Sequence, residues 1–154
     1  MSITFKALDE TSEDWNKYAK KISEVSWRAG ASLAEKMNNH FFSDWERVIV
    51  GISGDELACF CTVSKEDGLT DSTFTPFIGY VFVGESYRGK RVSEQLLSYA
   101  EAYLKELGFQ SLYIVSGENG LYEKYGYKKI KDSGTIHGFT ENLFEKKLDA
   151  RVDN

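Results

Sequence analysis

The residues with the most evident chemistry form one short segment in the middle of the chain. There the apolar run Val81–Val83 ends, a turn containing Gly89 follows, and an amphipathic repeat that predicts a helix begins at Val92. The first amides of a helix have no intrahelical partner, and the helix dipole adds positive potential at the same point. Gly89 permits close backbone approach, and Arg88–Arg91 contributes three positive charges in an acidic chain. This arrangement predicts an anion site of the kind that binds phosphate groups.

Other phosphate-binding and hydrolytic motifs are excluded by their residue patterns. The segment lacks Gly-x-x-x-x-Gly-Lys-Ser/Thr, and the chain contains no Gly-x-Gly-x-x-Gly. The stretches Gly51–Gly54 and Gly84–Ser86 only approach the Gly-x-Ser-x-Gly pattern of serine hydrolases. The remaining alternative for Arg88–Arg91 is a plain strand-to-helix turn with solvated basic side chains.

A second motif lies one predicted helix and one predicted strand further on. Residues Gly120–Tyr127 read Gly-Leu-Tyr-Glu-Lys-Tyr-Gly-Tyr. This motif and Tyr87–Lys90 resemble two ordered signatures of the GNAT superfamily of N-acetyltransferases, Gln/Arg-x-x-Gly-x-Gly/Ala at a helix start and Leu-Tyr-x-x-x-Gly-Phe/Tyr. The chain departs from the first signature at Arg91 and Ser93, where the family has glycine, and glycine or alanine.

The resemblance implies that acetyl-CoA is the co-substrate, with no metal. In the family, the strand equivalent to Phe77–Val83 splays from the next strand, here Ser111–Val115, and pantetheine lies in the gap. The backbone of Val81, Phe82 and Val83 is therefore expected to contact pantetheine. The diphosphate is expected at the helix start, on the amides of Arg88, Gly89, Lys90, Arg91, Val92 and Ser93.

The resemblance also assigns a role to Tyr122, which matches a tyrosine that lies near the CoA sulfur in many members. A hydroxyl there can protonate the leaving thiolate as a general acid. The alternative is a core tyrosine with a satisfied hydroxyl. For the general base, some members have a glutamate where this chain has Phe77. Glu118 and Asp71 are the candidates here, and a water chain to solvent is the alternative.

The acceptor implied by the resemblance is a primary amine of a small molecule or a peptide. The family builds the acceptor pocket from its first two helices and its last hairpin. In this chain those regions contain Trp27, Phe41, Phe42, Trp45 and Ile136, and His137 lies in the hairpin. Neither the identity of the amine nor the oligomeric state follows from the sequence, so a homodimer is left open.

The periodicity of apolar residues predicts the elements that position these motifs. The predicted strands are Ile3–Leu8, Arg47–Ile52, Glu56–Ser64, Phe77–Val83, Ser111–Val115, Tyr127–Lys131 and Asn142–Lys147. Helices are predicted from a Thr11 cap to Ile22, after Gly30, over Val92–Leu107 and over Leu121–Tyr125. This order predicts a single α/β domain over residues 1–154, with a frayed tail at 149–154. The sheet is mixed and mostly antiparallel, with about seven strands and about four flanking helices, and the resemblance adds the splayed central pair.

Composition and charge narrow the class of protein and its compartment. The chain has 154 residues and a net charge of −5, without a basic run, which disfavours nucleic-acid binding. The first twenty residues lack a signal pattern, and no apolar run is long enough to span a membrane, so a cytoplasmic protein without membrane partners is expected. Cys59 and Cys61 point to one face of a predicted strand and are interpreted as reduced core thiols, because no further Cys/His cluster completes a metal site.

Two alternatives to an acetyltransferase remain open. A degenerate relative could bind or sense acyl-CoA without turnover, and the departures at Arg91 and Ser93 favour that hypothesis, whereas Tyr122 opposes it. A transferase with a different acyl donor is the other alternative, and the space near Val81 would decide it.

Overall fold

Within the described residues, seven strands and four α-helices follow one another in the order that the sequence predicts. The computed structural model describes residues 2–71 and 73–148, so the predicted frayed tail at 149–154 lies outside the described residues. The strands are β1 (Thr4–Leu8), β2 (Arg47–Ser53), β3 (Glu56–Ser64), β4 (Phe77–Val83), β5 (Ser111–Ser116), β6 (Lys128–Gly134) and β7 (Thr140–Lys147). The helices are α1 (Trp15–Ser23), α2 (Arg28–Asn38), α3 (Val92–Glu106) and α4 (Leu121–Lys124), and a 3-10 turn at Glu85–Tyr87 precedes α3.

The strands form one mixed sheet in the order β1-β2-β3-β4-β5-β7-β6. Every neighbouring pair is antiparallel except β4 and β5, which are parallel and are connected through α3. The predicted fold class, a mostly antiparallel α/β sheet flanked by four helices, is therefore confirmed.

Both faces of the sheet are covered, and the alternation along each strand decides which core a side chain joins. On β2, Ile49 packs under α3, whereas Val48 and Val50 pack under α1 and α2. Cys59 and Cys61 both lie in the α3 core, where they are buried and free. The helix contributes five buried residues to this core, namely Val92, Leu96, Leu97, Ala100 and Leu104.

The start of α2 differs from the prediction, because the helix begins at Arg28 rather than after Gly30. A Cβ atom at Gly30 would lie 2.6 Å from the carbonyl oxygen of Ile22 and from Val25 Cγ2. Glycine therefore stands inside the helix because α1 and α2 approach closely there, and it does not mark a helix boundary.

The starts of α1 and β6 also differ from the prediction. The amide and hydroxyl of Thr11 bind the Asp9 carboxylate in a local turn, and α1 begins only at Trp15. At the other end of the chain, Tyr127 precedes β6 as a buried core residue, and its hydroxyl donates to Glu101 at 2.7 Å. Among the described residues, no helix is long and apolar enough to cross a membrane.

Candidate active site

The centre of the sheet contains a gap between β4 and β5. The two parallel strands share one register pair, Phe77 with Tyr113, and the Tyr113 amide donates to Pro76 O at 2.9 Å. Beyond this pair, the described strands do not pair with each other. Apart from Val83 O, which accepts from Arg88 Nε, no hydrogen bond is found among the described residues for the backbone groups that the two strands turn toward this gap.

A bulge in β4 sets which groups face the gap. The register with β3 shifts by one residue between Gly79 and Phe82, and Tyr80 adopts a left-handed φ of 50°. After the bulge, Val81 and Val83 pack on the α3 side, and Tyr80 and Phe82 pack on the side of α1 and α2. Because the Gly84 amide donates to Ala58 O at 2.8 Å, the alternation of an antiparallel ladder turns the backbone of Val83 away from β3 and toward the gap.

The start of α3 borders a cavity of about 520 Å³, called here the α3 cavity. Its lining includes Val83, Gly89, Arg91, Ser93 and Tyr125. Among the described residues, none of the five consecutive amides of residues 89–93 donates a hydrogen bond. A cluster of free amides at a helix N-terminus has the donors and the positive dipole end that suit an anion.

Two left-handed residues shape this turn. Gly89 has a φ of 76°, and Arg91, the N-cap of α3, has a φ of 62°. The glycine that the family signature has at the position of Arg91 thus corresponds to a backbone conformation that favours glycine. In this chain an arginine adopts it at a cost of roughly 1–2 kcal/mol.

The basic side chains lie in different places around the turn. Arg88 folds back onto β4, where its Nε donates to Val83 O at 3.0 Å and its guanidinium lies 6.0 Å from the centre of the Phe82 ring. The Arg88 amide is directed at Glu85 O at 3.4 Å, so the free amides begin one residue later than predicted. The side chain of Arg91 is 85% exposed, and Lys90 is exposed outside the lining of the α3 cavity.

Ser93 has a specific contact that the sequence did not predict. Its hydroxyl lies 2.8 Å from the Tyr125 hydroxyl, which connects the first turn of α3 to the residue that ends α4. A glycine or alanine at position 93 would lack this bond, so the departure from the signature adds a connection between two walls of the α3 cavity.

Tyr122 lies in α4 with only 6% of its surface exposed. Its ring packs against Tyr127 and Phe144, at centroid distances of 5.9 and 5.6 Å. Among the described residues, its hydroxyl has no hydrogen-bond partner, unlike the buried hydroxyl of Tyr127. Burial, with a smaller contribution from the Glu118 carboxylate, raises the pKa of Tyr122 to about 12, so the phenol is protonated at neutral pH.

A second cavity of about 770 Å³, called here the hairpin cavity, lies on the α1 and α2 side of the sheet. It contains most of the predicted acceptor residues, namely Trp27, Phe41, Phe42, Ile136 and His137. Trp45 is absent from the lining, and its ring packs against Phe109 at 5.0 Å. The cavity reaches the central strands at Tyr80 and Val115, whereas the α3 cavity reaches β4 at Val83.

The two carboxylates predicted as general bases have unsuitable surroundings. The Asp71 carboxylate accepts hydrogen bonds from the amide and hydroxyl of Thr73, which lower its pKa and make it a weak base. Glu118 is exposed in the turn between β5 and α4.

Asp67 is a candidate base that the sequence analysis missed. This half-buried residue of the β3–β4 loop lines the hairpin cavity, and loss of hydration raises the pKa of its carboxyl to about 6. The local sequence around Asp67 resembles any polar loop. Its distinguishing feature is the contact with Gly79 on β4, which only the folded chain creates.

A splayed parallel strand pair, with a row of free amides and two cavities beside it, lies at the centre of the sheet. The profile of the acetyltransferase (GNAT) family matches residues 8–127. The chain therefore belongs to the GNAT acetyltransferase family.

Solved structures agree with this assignment at the level of the fold. An aminoglycoside 6'-N-acetyltransferase complexed with coenzyme A has a TM-score of 0.69 at 16% identity, covering 97% of this chain and 99% of that one. The aminoglycoside 6'-N-acetyltransferase from Enterococcus faecium gives 0.70 at 16% identity, with the same coverage. YhbS from Escherichia coli, a GNAT N-acetyltransferase in complex with CoA, gives 0.68 at 16% identity, covering 96% of this chain and 82% of that one. No curated protein matches the sequence closely enough to count as a relative.

Proposed function

We propose that this protein is an acetyl-CoA-dependent N-acetyltransferase that acts on a primary amine. The observation that carries the proposal is the row of five free amides, residues 89–93, at the start of α3 beside the β4–β5 gap. The N-acetyltransferases among the structural neighbours, two of which contain coenzyme A, support the same activity.

The residues on the α3 side fit the donor. The amides of residues 89–93 are suited to the diphosphate, because they offer donors and the positive end of a helix dipole. The backbone of Val81 and Val83 is suited to pantetheine, since both follow the bulge and Val83 is turned toward the gap. Phe82 contributes less, because it pairs with Phe60 of β3 and stacks in the opposite core.

In the transfer, the amine nitrogen forms a bond to the acetyl carbonyl carbon, and the carbon–sulfur bond breaks. The thiolate that leaves takes a proton, for which Tyr122 is the proposed donor. Its phenol is protonated at neutral pH and has no hydrogen-bond partner among the described residues, so its proton is free to be directed at a ligand. The nitrogen loses protons as the amide forms, so the overall reaction releases one proton to solvent.

Tyr122→Phe tests this role, because it removes the hydroxyl and keeps the ring. General acid catalysis is worth about 10²–10⁴-fold, so we expect kcat to fall roughly 10²-fold with little change in acetyl-CoA affinity. The assay follows thiol release with a panel of amines. Tyr99→Phe is the matched control, since Tyr99 lies on α3 and stacks on Phe5 of β1, the strand at one edge of the sheet.

Three outcomes distinguish the alternatives. Full turnover by Tyr122→Phe would remove Tyr122 from the mechanism. A large loss of stability would indicate a structural hydroxyl. Binding of acetyl-CoA by the wild type without thiol release, across the amine panel, would favour a non-catalytic acyl-CoA sensor.

The partners follow from this proposal. A small-molecule amine is the preferred acceptor, by analogy with the aminoglycoside enzymes among the structural neighbours, and a peptide amine is the alternative. We propose a cytoplasmic location, where acetyl-CoA is supplied. A homodimer stays a prediction, which sedimentation would test.

A further inference from the structure

Asp67 holds its carboxylate against the backbone of β4. A Cβ atom built at Gly79 would lie 3.0 Å from each of the two carboxylate oxygens, so the missing side chain at Gly79 creates the space that the carboxylate occupies. Among residues 2–71 and 73–148, no group makes a hydrogen bond or an ion pair with this carboxylate. Asp67 therefore lines the hairpin cavity as a half-buried acid without a partner.

The charged and titratable groups around Asp67 leave the cavity acidic. Besides Asp67, its lining contains Lys36, Glu46, Lys65, Glu66, His137 and Glu141. The Lys65 ammonium pairs with Asp44 at 2.6 Å, and the Lys36 ammonium lies 5.0 Å from the centre of the Tyr80 ring. Loss of hydration raises the pKa of Asp67, and Lys36 opposes this only in part. At neutral pH the carboxylate is thus ionised without a counter-ion within contact distance, which suits a bound ammonium group.

Asp67 also lies beside the central strands, because its carboxylate is held against Gly79 on β4. This carboxylate is one of the charges that raise the pKa of Tyr122, which belongs to the α3 core, whereas Asp67 lines the hairpin cavity. The side chains of Tyr80 and Val115, which border the β4–β5 gap, line the cavity beside Asp67. A ligand bound at Asp67 is therefore directed at the gap.

The mouth of the same cavity is apolar. Phe41, Ile136 and Phe139 are 64%, 64% and 68% exposed, the largest values among the exposed large hydrophobic residues described, and all three line the hairpin cavity. Phe41 follows α2, and the other two lie in the β6–β7 loop. Apolar side chains concentrated at the mouth of one cavity indicate a ligand with an apolar part.

We propose that Asp67 binds the ammonium group of the acceptor and takes its proton, and that the acceptor is a monoamine with an apolar substituent that packs on Phe41, Ile136 and Phe139. The inference rests on the proposed function and names the substrate class of that site. One ammonium proton passes to Asp67 and then to solvent, which leaves a neutral amine with a free electron pair. The second proton that the nitrogen loses on amide formation replaces the one that Tyr122 gives to the sulfur.

Amine binding in the presence of CoA tests the proposal without turnover. The probes are 2-phenylethylamine and ethylamine, which share an ammonium group and differ in the apolar part. We expect Asp67→Asn to weaken 2-phenylethylamine at least tenfold. Asp71→Asn is the matched control from the same loop and should bind as the wild type does. Equal binding by Asp67→Asn and the wild type would overturn the proposal.

A separate variant tests whether the apolar part of the amine packs at the mouth of the cavity. Phe139→Ser should weaken 2-phenylethylamine several-fold and leave ethylamine unchanged, because only the former reaches the cavity mouth. Spermidine and an aminoglycoside serve as polycationic competitors. Tighter binding of either polycation than of 2-phenylethylamine would overturn the substrate class.

The pH dependence of turnover separates a proton acceptor from a merely structural carboxylate. In the wild type, kcat/KM for 2-phenylethylamine should fall about tenfold per pH unit below about 6, the pKa of Asp67. Asp67→Asn should lose this limb, whereas Asp71→Asn should keep it. An unchanged limb in Asp67→Asn would overturn the proton transfer. If amine binding depends on Asp67 but no thiol is released, the proposed function fails and the amine site stands.

Discussion

The two cavities beside the central gap are built from different parts of the chain and by different groups. The α3 cavity is lined by four of the five residues whose amides are free, all of 89–93 except Lys90, with basic side chains around them. The hairpin cavity presents side chains, carboxylates inside and apolar groups at the mouth, that come from α2, the β3–β4 loop and the β6–β7 loop. Backbone donors recognise an anion through the conformation of the chain, whereas side chains recognise a ligand through their chemical identity.

This difference predicts opposite sensitivities to substitution. On the α3 side, a change of backbone dihedral should matter more than a change of charge, because exposed charges are screened by salt. On the hairpin side, replacing a single atom of one side chain should be enough to change both stability and ligand choice. Three substitutions, two of them paired with a control variant, test this contrast.

Gly89→Pro should have the largest effect. Proline cannot adopt the φ of 76° found at Gly89, and it removes one of the five free amides. A ligand at 100 times its Kd raises the free energy of unfolding by about 2.7 kcal/mol. We expect acetyl-CoA at that concentration to give this increase in the wild type and none in the Gly89→Pro variant. Thermal unfolding with and without acetyl-CoA measures it.

Gly54→Pro is the control for this substitution, since Gly54 has a φ of 61° in the β2–β3 turn, outside the lining of both cavities. Gly54→Pro should lower the melting temperature, yet acetyl-CoA should still raise the melting temperature of this variant as it does in the wild type. A folded Gly89→Pro protein that acetyl-CoA still stabilises as before would contradict the assignment of the α3 cavity.

Asp67→Asn should stabilise the protein at neutral pH, whereas a substitution of a half-buried residue usually destabilises a protein. Folding raises the pKa of Asp67 from 3.8 to about 6, so its contribution to stability is fully present below 3.8 and is lost as the pH rises through 6. The difference between these two pKa values corresponds to roughly 1–3 kcal/mol of unfolding free energy at pH 7.5. Urea unfolding at pH 7.5 and near pH 4 should show a difference at the first value and almost none at the second.

Asp71→Asn, in the same loop, should change the stability of the protein in the opposite direction. Hydrogen bonds from Thr73 lower the pKa of Asp71, so its carboxylate stabilises the fold above the unfolded pKa, and this stabilisation is lost as the pH falls. The asparagine variant should therefore be less stable than the wild type at pH 7.5. If both variants shift stability in the same direction, the two carboxylates do not differ as described.

Arg91→Gly should have the smallest effect. Glycine adopts the left-handed conformation of this N-cap without steric cost, so the free energy of unfolding should rise by about 1 kcal/mol. The lost charge should weaken acetyl-CoA a few-fold at low salt and not at high salt. Titrations at two salt concentrations measure the affinity for acetyl-CoA, and urea unfolding measures the stability. A loss of affinity independent of salt would indicate a direct role for the guanidinium group.

The parts of the fold that were predictable from sequence are those in which local residues determine local structure. The apolar repeat from Val92 predicted α3 almost to the residue, and the run Phe77–Val83 predicted β4 at its observed bounds. Gly126, in the second motif, has a φ of 92°, which explains why that position calls for glycine. In contrast, Gly30 does not precede the start of α2 as predicted. Glycine is needed there because α1 lies close to it, and not because of its own dihedral angle.

The hairpin cavity was predictable only in part for the same reason. Five of the six residues that the resemblance implies for the acceptor pocket line this cavity, whereas Trp45 packs elsewhere and Asp67 was not predicted. Asp67 and Asp71 stand four residues apart in one polar loop, and nothing local separates them. What distinguishes them is that Asp67 lies against Gly79 without a hydrogen-bond partner in the described part of the chain, whereas Asp71 is bound by Thr73. Both facts depend on how the loop folds onto β4.

The single register pair between β4 and β5 has a consequence for the cooperativity of the fold. It leaves β1–β4 and β5–β7–β6 as two groups of strands whose shared edge is mostly open. Segments with few shared hydrogen bonds open as separate units at lower free energy than the whole domain. A ligand that pairs with backbone in the gap would act as the missing ladder between the two groups, so hydrogen exchange at Val83 and Val115 should slow together when it binds.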